Sequence, residues 1–460
     1  MNFRKVLFFS VGPVGGALLG FITVPIIAWY FSPEDIGRIA ILNVAVSFGV
    51  LFFSFGLDQA YVREYHETSS TPFLLINTLG PGLIILSFFL LFFFFQPATI
   101  SVWLFDIVSE QLGLMVLLCL LAAFISRFLS LILRMQEKGL AFSMSQVLPK
   151  VFFLVLLGFY IVLDVGFTTL KLVSAHTLSI SLVCLVYGWN TRKEWMSAFK
   201  QKFDSNKIHE MLAYSVPLIF GGLAYWGLTA VDKLFLRNMS SFEELGIYSI
   251  ANNFAAAATI FQSIFSTIWA PTVYKWASSG EGLGKVQQVT QYVLFIIVLI
   301  FCLTGLFSWL IDYILPDTYR SVKYIAVACL GTPLLYTLSE ATMVGIGITK
   351  KTFYAFFSSF IALICNVIGN YFFIPRYGAA GAAISTCISF WVFFVCRTEF
   401  SILVWQRQPR LRLYLYSLTC VAMAVANTLF AADNIVLFLI LWFCILVFSL
   451  INFRDLLKTR

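Results

Sequence analysis

The chain is 460 residues long, 60% hydrophobic and only 11% charged, with 50 phenylalanines and a formal net charge of +8. So little charge cannot cover a water-soluble domain, and apolar runs of roughly 20 residues, enough to cross a hydrocarbon core of about 30 Å, recur from end to end. The basic excess sits at the ends of those runs rather than on one amphipathic face, which excludes nucleic acid as the partner and reads as membrane topology.

The first run, 6–30, follows Arg4 and Lys5 but continues to Tyr30 without a small-residue cleavage pattern, so it reads as a spanning helix and not a signal peptide. Gly12, Gly16 and Gly20 share one stripe of it, flanked by Pro13 and Pro25. Two readings stand for that stripe: a packing surface, or a hinge loosened by the prolines. Further spans are expected at 36–57, 73–95, 111–133, 141–163 and 168–188. The longest loop, about Trp189 to Glu210, follows, and its segment from Trp195 to Phe203 suits a short interfacial helix facing anionic lipid. Spans at 211–236, 245–270, 289–313, 322–348, 352–374, 378–400, 412–431 and 435–453 bring the expectation to fourteen. The small residues Gly378 to Ala383 that open the twelfth read as packing.

An internal repeat organises these helices. Ser10-Val11-Gly12-Pro13 matches Ser215-Val216-Pro217, and Ser32-Pro33-Glu34-Asp35-Ile36-Gly37 matches Ser241-Phe242-Glu243-Glu244-Leu245-Gly246. Six helices precede the long loop, so the seventh enters the membrane in the same direction as the first and the duplication is parallel. The expected fold class is an all-α integral membrane protein of about fourteen spans. Its divisions are a six-helix lobe at 1–188, a linker at 189–210, a second six-helix lobe at 211–400 and two further helices within 401–460. An even number of spans puts both termini on one side. Basic residues concentrate on that side, in the linker (Arg192, Lys193, Lys200, Lys202, Lys207), around 397–412 (Arg397, Arg407, Arg410, Arg412) and at the end (Arg454, Lys458, Arg460). The opposite side carries Arg38, Arg237, Arg320, Lys323 and Arg376, so both termini are expected in the cytoplasm.

Catalytic chemistry is not visible. The nine cysteines lie inside apolar runs without CxxC or metal-ligand spacing, so free thiols, no metal and no cofactor are expected. Phosphate loops, HExxH and GxSxG motifs are absent, and the chain reads as a non-enzyme. What remains is charge inside the membrane, which costs about 2.5 to 17 kcal/mol at the bilayer centre unless it is paired or hydrated. Arg127 on the fourth helix and Lys150 on the fifth flank the turn at Glu137-Lys138-Gly139 at similar distances, on the order of 12 to 15 Å in depth. They are read as cations of a cavity for a phosphate-bearing ligand, against the plainer reading that both snorkel to the interface. Glu340 sits on the corresponding helix of the second repeat with no basic residue expected at its depth, and binds a coupling ion or acts as a neutral hydrogen-bonding acid. Asp232 and Lys233, near the outer end of the seventh helix, are coupling or gating candidates, with interfacial snorkelling as the alternative. Asp58 and Arg63 form a gate pair or an ordinary interfacial ion pair. His176 is a proton relay or a structural histidine.

Three stretches resemble a known family: Tyr30 to Gly37 with Gly56-Leu57-Asp58-Gln59-Ala60 and Arg63; Tyr214-Ser215-Val216-Pro217 through Asp232 to Gly246-Ile247-Tyr248-Ser249-Ile250-Ala251; and Ile374 to Ala383. They resemble the polysaccharide transporter branch, the O-antigen and capsule repeat-unit flippases, of the multidrug/oligosaccharidyl-lipid/polysaccharide exporter superfamily. The resemblance implies two six-helix lobes around a central cavity that opens alternately to each side. It also implies a lipid-linked oligosaccharide substrate on undecaprenyl pyrophosphate, surrounding membrane lipids, and a bacterial inner-membrane location. A polysaccharide polymerase and assembly machinery are the protein partners to look for. On this reading Arg127 and Lys150 offset the desolvation of the pyrophosphate. The two extra helices leave open a closer relation to lipid II flippases, and a cation-coupled drug exporter is the other transporter alternative. From another class, a polyprenyl-linked polysaccharide polymerase or ligase would need a large outer loop with paired carboxylates.

Overall fold

The structure is a computed structural model of this chain. It describes residues 3–164, 166–278 and 282–454, except the side chains of 3–11, 13, 14, 139, 278, 282 and 283. The side chains of Arg4, Lys5, Ser10, Val11 and Pro13, and all of Lys458 and Arg460, therefore lie outside the described residues. Every described regular element is helical, and the chain divides into two compact units, Met1–Thr23 with Arg38–Trp226 and Val24–Gly37 with Gly227–Arg460.

The first unit draws on α1 (Phe3–Tyr30), α2 (Pro33–Ser54), α3 (Leu57–Glu64), α4 (Thr71–Phe94), α5 (Pro97–Phe105), α6 (Glu110–Met135), α7 (Gly139–Val162), α8 (Thr169–Asn190), α9 (Arg192–Ala198) and the start of α10 (Ser205–Met239). Serine hydroxyls supply the acceptors that free helix N-termini need: Ser70 receives the Phe73 N–H on α4, and Ser109 receives the Leu112 N–H on α6. The core is aromatic and aliphatic, with Phe124, Phe128, Leu129 and Ile132 of α6 packed among Phe53, Leu57, Val183 and Met211.

Two sequence features resolve here. A side chain at Gly12 would overlap the Ser143 backbone, Gly16 faces Gln146, and Gly20 lies against Lys150, so the glycine stripe of α1 is a seat for α7. The expected second span, 36–57, is interrupted. Phe55 and Gly56 take φ of 48° and 67°, ending α2 and turning the chain into the separate short helix α3, which carries Asp58. The linker segment also differs from a free interfacial helix. α9 is docked, with Glu194 accepting from Thr71 (3.0 Å) and Gln136 (3.1 Å) and the Trp195 indole donating to the Gly188 carbonyl (2.8 Å). These anchors, at two adjacent positions of a seven-residue helix, hold it on the bundle.

The second unit comprises the rest of α10, then α11 (Phe242–Ala255), α12 (Thr259–Ser278), α13 (Gly282–Phe307), α14 (Val322–Cys329), α15 (Gly331–Thr342), α16 (Val344–Ile348), α17 (Phe353–Val404), α18 (Leu411–Phe430) and α19 (Ile435–Asn452). The expected eighth span is broken by a 3₁₀ turn at Ala256–Ala258, and the expected tenth is built from α14, α15 and α16. At 52 residues α17 would be about 78 Å long if straight, far beyond one bilayer crossing. It folds as two arms at Gly378 (φ 52°, ψ −125°), where Glu244 caps the second arm by accepting the Ala379 N–H at 2.7 Å. Twelve described helices are long and apolar enough to cross a membrane. Counting both arms of α17, and α1 with its apolar Gly15–Tyr30, gives the fourteen spans expected.

The matched repeat motifs meet in this unit. Ser32 and Ser241 head α2 and α11, the latter accepting the Glu244 N–H at 3.2 Å. A side chain at Gly37 would overlap the Phe242 carbonyl, and one at Gly246 the Pro33 carbonyl. The two first turns therefore cross backbone to backbone, and the glycine at the end of each motif is there for contact with the other copy.

Candidate functional site

The first unit holds a cavity of about 450 Å³ inside its bundle. Arg127 on α6 lines it together with Asp58 of α3, the hydroxyls of Ser47, Ser54, Ser126, Ser130 and Ser145, and Tyr187. Arg127 donates to Asp58 Oδ2 from Nη2 (2.6 Å) and Nε (3.1 Å). The Arg127 side chain keeps 42% exposure, whereas that of Asp58 keeps 10%. One partner is thus sequestered and the other still opens on the cavity. Ser126 Oγ and Tyr187 Oη are buried, with Cys184 and Ser145 as their neighbouring polar groups. Water or a hydroxyl-rich ligand in the cavity would complete the hydrogen bonding of such hydroxyls.

These positions revise the expected pairings. Asp58 does not pair with Arg63, whose guanidinium lies 4.0 Å over the Tyr214 ring. Five residues apart on a helix, Asp58 and Arg63 are turned well away from one another. Lys150 does not line the cavity; its ammonium donates to the Gly16 carbonyl of α1, in the space left by Gly20. Matched depth did not imply a shared face, and the anion that relieves Arg127 is a residue of the chain itself. His176 packs edge-on against Phe153 (5.9 Å between ring centroids), with Nε2 buried and without a partner among the described residues. No relay runs through that contact.

In the second unit Asp232 is 1% exposed. Its Oδ2 accepts from Tyr248 Oη (2.7 Å) and Thr386 Oγ1 (2.6 Å), and its Oδ1 from Asn370 Nδ2 (2.9 Å). Asn366 extends the cluster, accepting from Asn370 at 3.0 Å and donating to Thr386 at 3.2 Å. Asp232 is therefore not an interfacial snorkeller. Lys233, next to it in sequence, lies within electrostatic reach of Asp232 without hydrogen-bonding to it among the described residues. A carboxylate ringed by amide and hydroxyl groups, with Asn370 Oδ1 buried and unpartnered, suits a proton or a hard cation with oxygen ligands.

Glu340 also has company that the sequence reading did not provide. Ser266 donates to its carboxylate, Trp269 donates to its backbone carbonyl (3.0 Å), and Arg397 lies within electrostatic reach. Arg397 was expected on the cytoplasmic side, but it is 8% exposed, donates to Ser339 (3.3 Å) and stands 4.1 Å over the Phe393 ring. Each unit thus places a cation near a carboxylate, with Arg127 open to the cavity in the first and Arg397 buried in the second. A signal existed: α17 stays helical and mostly apolar through Val404, so Arg397 falls inside the helix. The partners Tyr248, Asn366, Asn370 and Thr386 carried no comparable signal, because single polar residues in apolar helices are common.

Fourteen spanning helices and a polar, charged cavity within one bundle define the class: an all-α, multi-pass membrane protein. The family model described as polysaccharide biosynthesis protein matches residues 3–276, more than half of the chain, and the chain belongs to that family. It is 24% identical over 226 residues to the probable low-salt glycan biosynthesis flippase Agl15 of Haloferax volcanii, a match covering 47% of each chain. It is 23% identical over 234 residues to the capsular polysaccharide biosynthesis protein CapF of Staphylococcus aureus, covering 47% of this chain and 58% of that protein. The chain spans about half the length of the curated relatives it matches. Among solved structures, the lipid II flippase MurJ in its inward closed conformation matches with a TM-score of 0.73 at 18% identity, over 98% of this chain and 100% of that one, which shows a shared fold.

Proposed function

We propose that this protein moves an undecaprenyl-pyrophosphate-linked oligosaccharide repeat unit from the cytoplasmic to the outer leaflet of a bacterial inner membrane, for synthesis of a surface polysaccharide such as O-antigen, capsule or exopolysaccharide. It makes and breaks no covalent bond. The observation that carries this reading is Arg127: a cation held on one side by Asp58 and still 42% exposed to a hydroxyl-lined cavity inside a membrane bundle. A pyrophosphate entering the cavity exchanges the lost hydration of its charge for the guanidinium fork, and the serine hydroxyls meet sugar hydroxyls. The polyprenyl tail stays in lipid.

Alternating access of two lobes, 1–188 and 211–400, then exposes the cargo outward, with 189–210 as linker and both termini in the cytoplasm. Of the two cations read from the sequence, Arg127 is assigned to the phosphate, and Lys150 to fastening α1 through Gly16. Asp232 is the coupling residue, taking up and releasing an ion, while Glu340 with Arg397 gates the second unit. The product in the outer leaflet passes to a polysaccharide polymerase and its assembly machinery.

Deleting the gene in its host tests the reading. Surface polysaccharide should disappear and lipid-linked saccharide should accumulate, both restored by the wild-type chain. Unchanged polysaccharide together with raised drug sensitivity would instead make the protein a drug exporter.

A further inference from the structure

The hairpin of α18 and α19 holds a second cavity, of about 800 Å³, at the end where α18 begins and α19 finishes. Arg412 and Leu415 on α18 and Cys444, Phe448 and Asn452 on α19 line it. None of these residues lines the Arg127 cavity.

Its chemistry is one-sided. Arg412 Nη2 donates to the Asn452 carbonyl at 2.7 Å, and the guanidinium lies 4.1 Å over the Phe453 ring. These contacts hold the plane of the group but use one of its five N–H donors. Among the described residues no carboxylate pairs with Arg412. Glu399 is held instead by Arg410 (2.9 Å) and Tyr414 (2.7 Å). The rest of the lining is largely apolar and faces outward, with Leu415 57% and Phe448 61% exposed, in a hairpin that packs its other side on α13, α14 and α17 and whose helices are long and apolar enough to cross a membrane. Arg412 stands in the first turn of α18, hence at the membrane interface where lipid phosphates lie.

We propose that this groove binds an anionic glycerophospholipid, its phosphate on Arg412 and one acyl chain along Leu415, Cys444 and Phe448. A fixed guanidinium with spare donors matches two phosphate oxygens, which an ammonium does less well. An apolar slot opening beside it suits a chain attached to that phosphate. A zwitterionic lipid offers the same chain but carries its own cation to the arginine, so the charge selects the anionic class.

The test is native mass spectrometry of the delipidated protein with added phosphatidylglycerol or phosphatidylcholine at equal concentration. The wild type should retain one phosphatidylglycerol about tenfold better than phosphatidylcholine. R412Q should lose that preference, and R412K should keep part of it. C444W, which fills the groove and leaves Arg412 on Phe453, should lose the bound lipid while unfolding at the wild-type temperature. Equal retention of the two lipids by the wild type, or wild-type phosphatidylglycerol retention in R412Q or C444W, overturns the proposal. So does displacement of phosphatidylglycerol by equimolar undecaprenyl phosphate, which would make the groove a polyprenyl site. If R412Q does not fold, C444W decides the question alone.

Discussion

Arg127 and Asp58 differ in exposure, 42% against 10%, and the two ends of the pair should therefore respond differently to mutation. R127A strands the Asp58 carboxylate, leaving Gln59 Nε2 at 3.2 Å as its remaining side-chain donor. Breaking a sequestered pair from one side costs about 3–5 kcal/mol, and partial access to the cavity puts this case near the lower figure. D58N keeps the volume and leaves a cation that still reaches the cavity, so its cost is about 1 kcal/mol. The double variant R127A/D58N strands no charge. It should cost about 2 kcal/mol rather than the additive value of about 4, a coupling of about 2 kcal/mol between residues in contact.

Export separates the structural role from the functional one. Stability is read from unfolding in detergent, and surface polysaccharide from a deletion strain complemented at matched protein level. Both R127A and the double variant should export at least tenfold less than wild type, although the double variant regains stability; D58N should retain most export. A double variant that exports like wild type would reduce Arg127 to a counter-ion for Asp58 and refute the phosphate assignment. R127A no less stable than D58N would refute the burial argument.

K150M removes the donor to the Gly16 carbonyl while keeping most of the stem, so stability should fall by about 1 kcal/mol; export should stay within about threefold of wild type, and a loss as deep as that of R127A would return Lys150 to the substrate. D232N preserves shape and most hydrogen bonds with Tyr248, Asn370 and Thr386, so the protein should fold while export loses its dependence on an ion gradient, measured with and without ionophore. An unchanged ionophore response in D232N would remove Asp232 from coupling. G246A drives a methyl into the Pro33 carbonyl, backbone that cannot rotate aside, and should cost about 1–3 kcal/mol in unfolding measurements; wild-type stability would show that the crossing of α2 and α11 is looser than described.

Much of this protein was determined by its sequence alone, because the bilayer imposes rules that act on single segments. A span must be long, apolar and closed on its own hydrogen bonds, so the number of crossings and the break at Gly378 between two arms could be read residue by residue. The matched Ser32–Gly37 and Ser241–Gly246 motifs disclosed the repeat before any contact was known, and the family resemblance rested on the same stretches.

Partners were another matter. Asp58 and Arg127 are 69 residues apart, and Asp232 meets Thr386 across 154. A helical period states which residues share a face, but not which face of another helix will oppose it. Reading within one helix therefore joined Asp58 to Arg63, and reading depth joined Arg127 to Lys150. The cost of an unpaired charge in a low-dielectric bundle is settled by whichever group the packing brings near. The sequence determined that those charges lie within the bundle, and only the tertiary structure decided what each one meets.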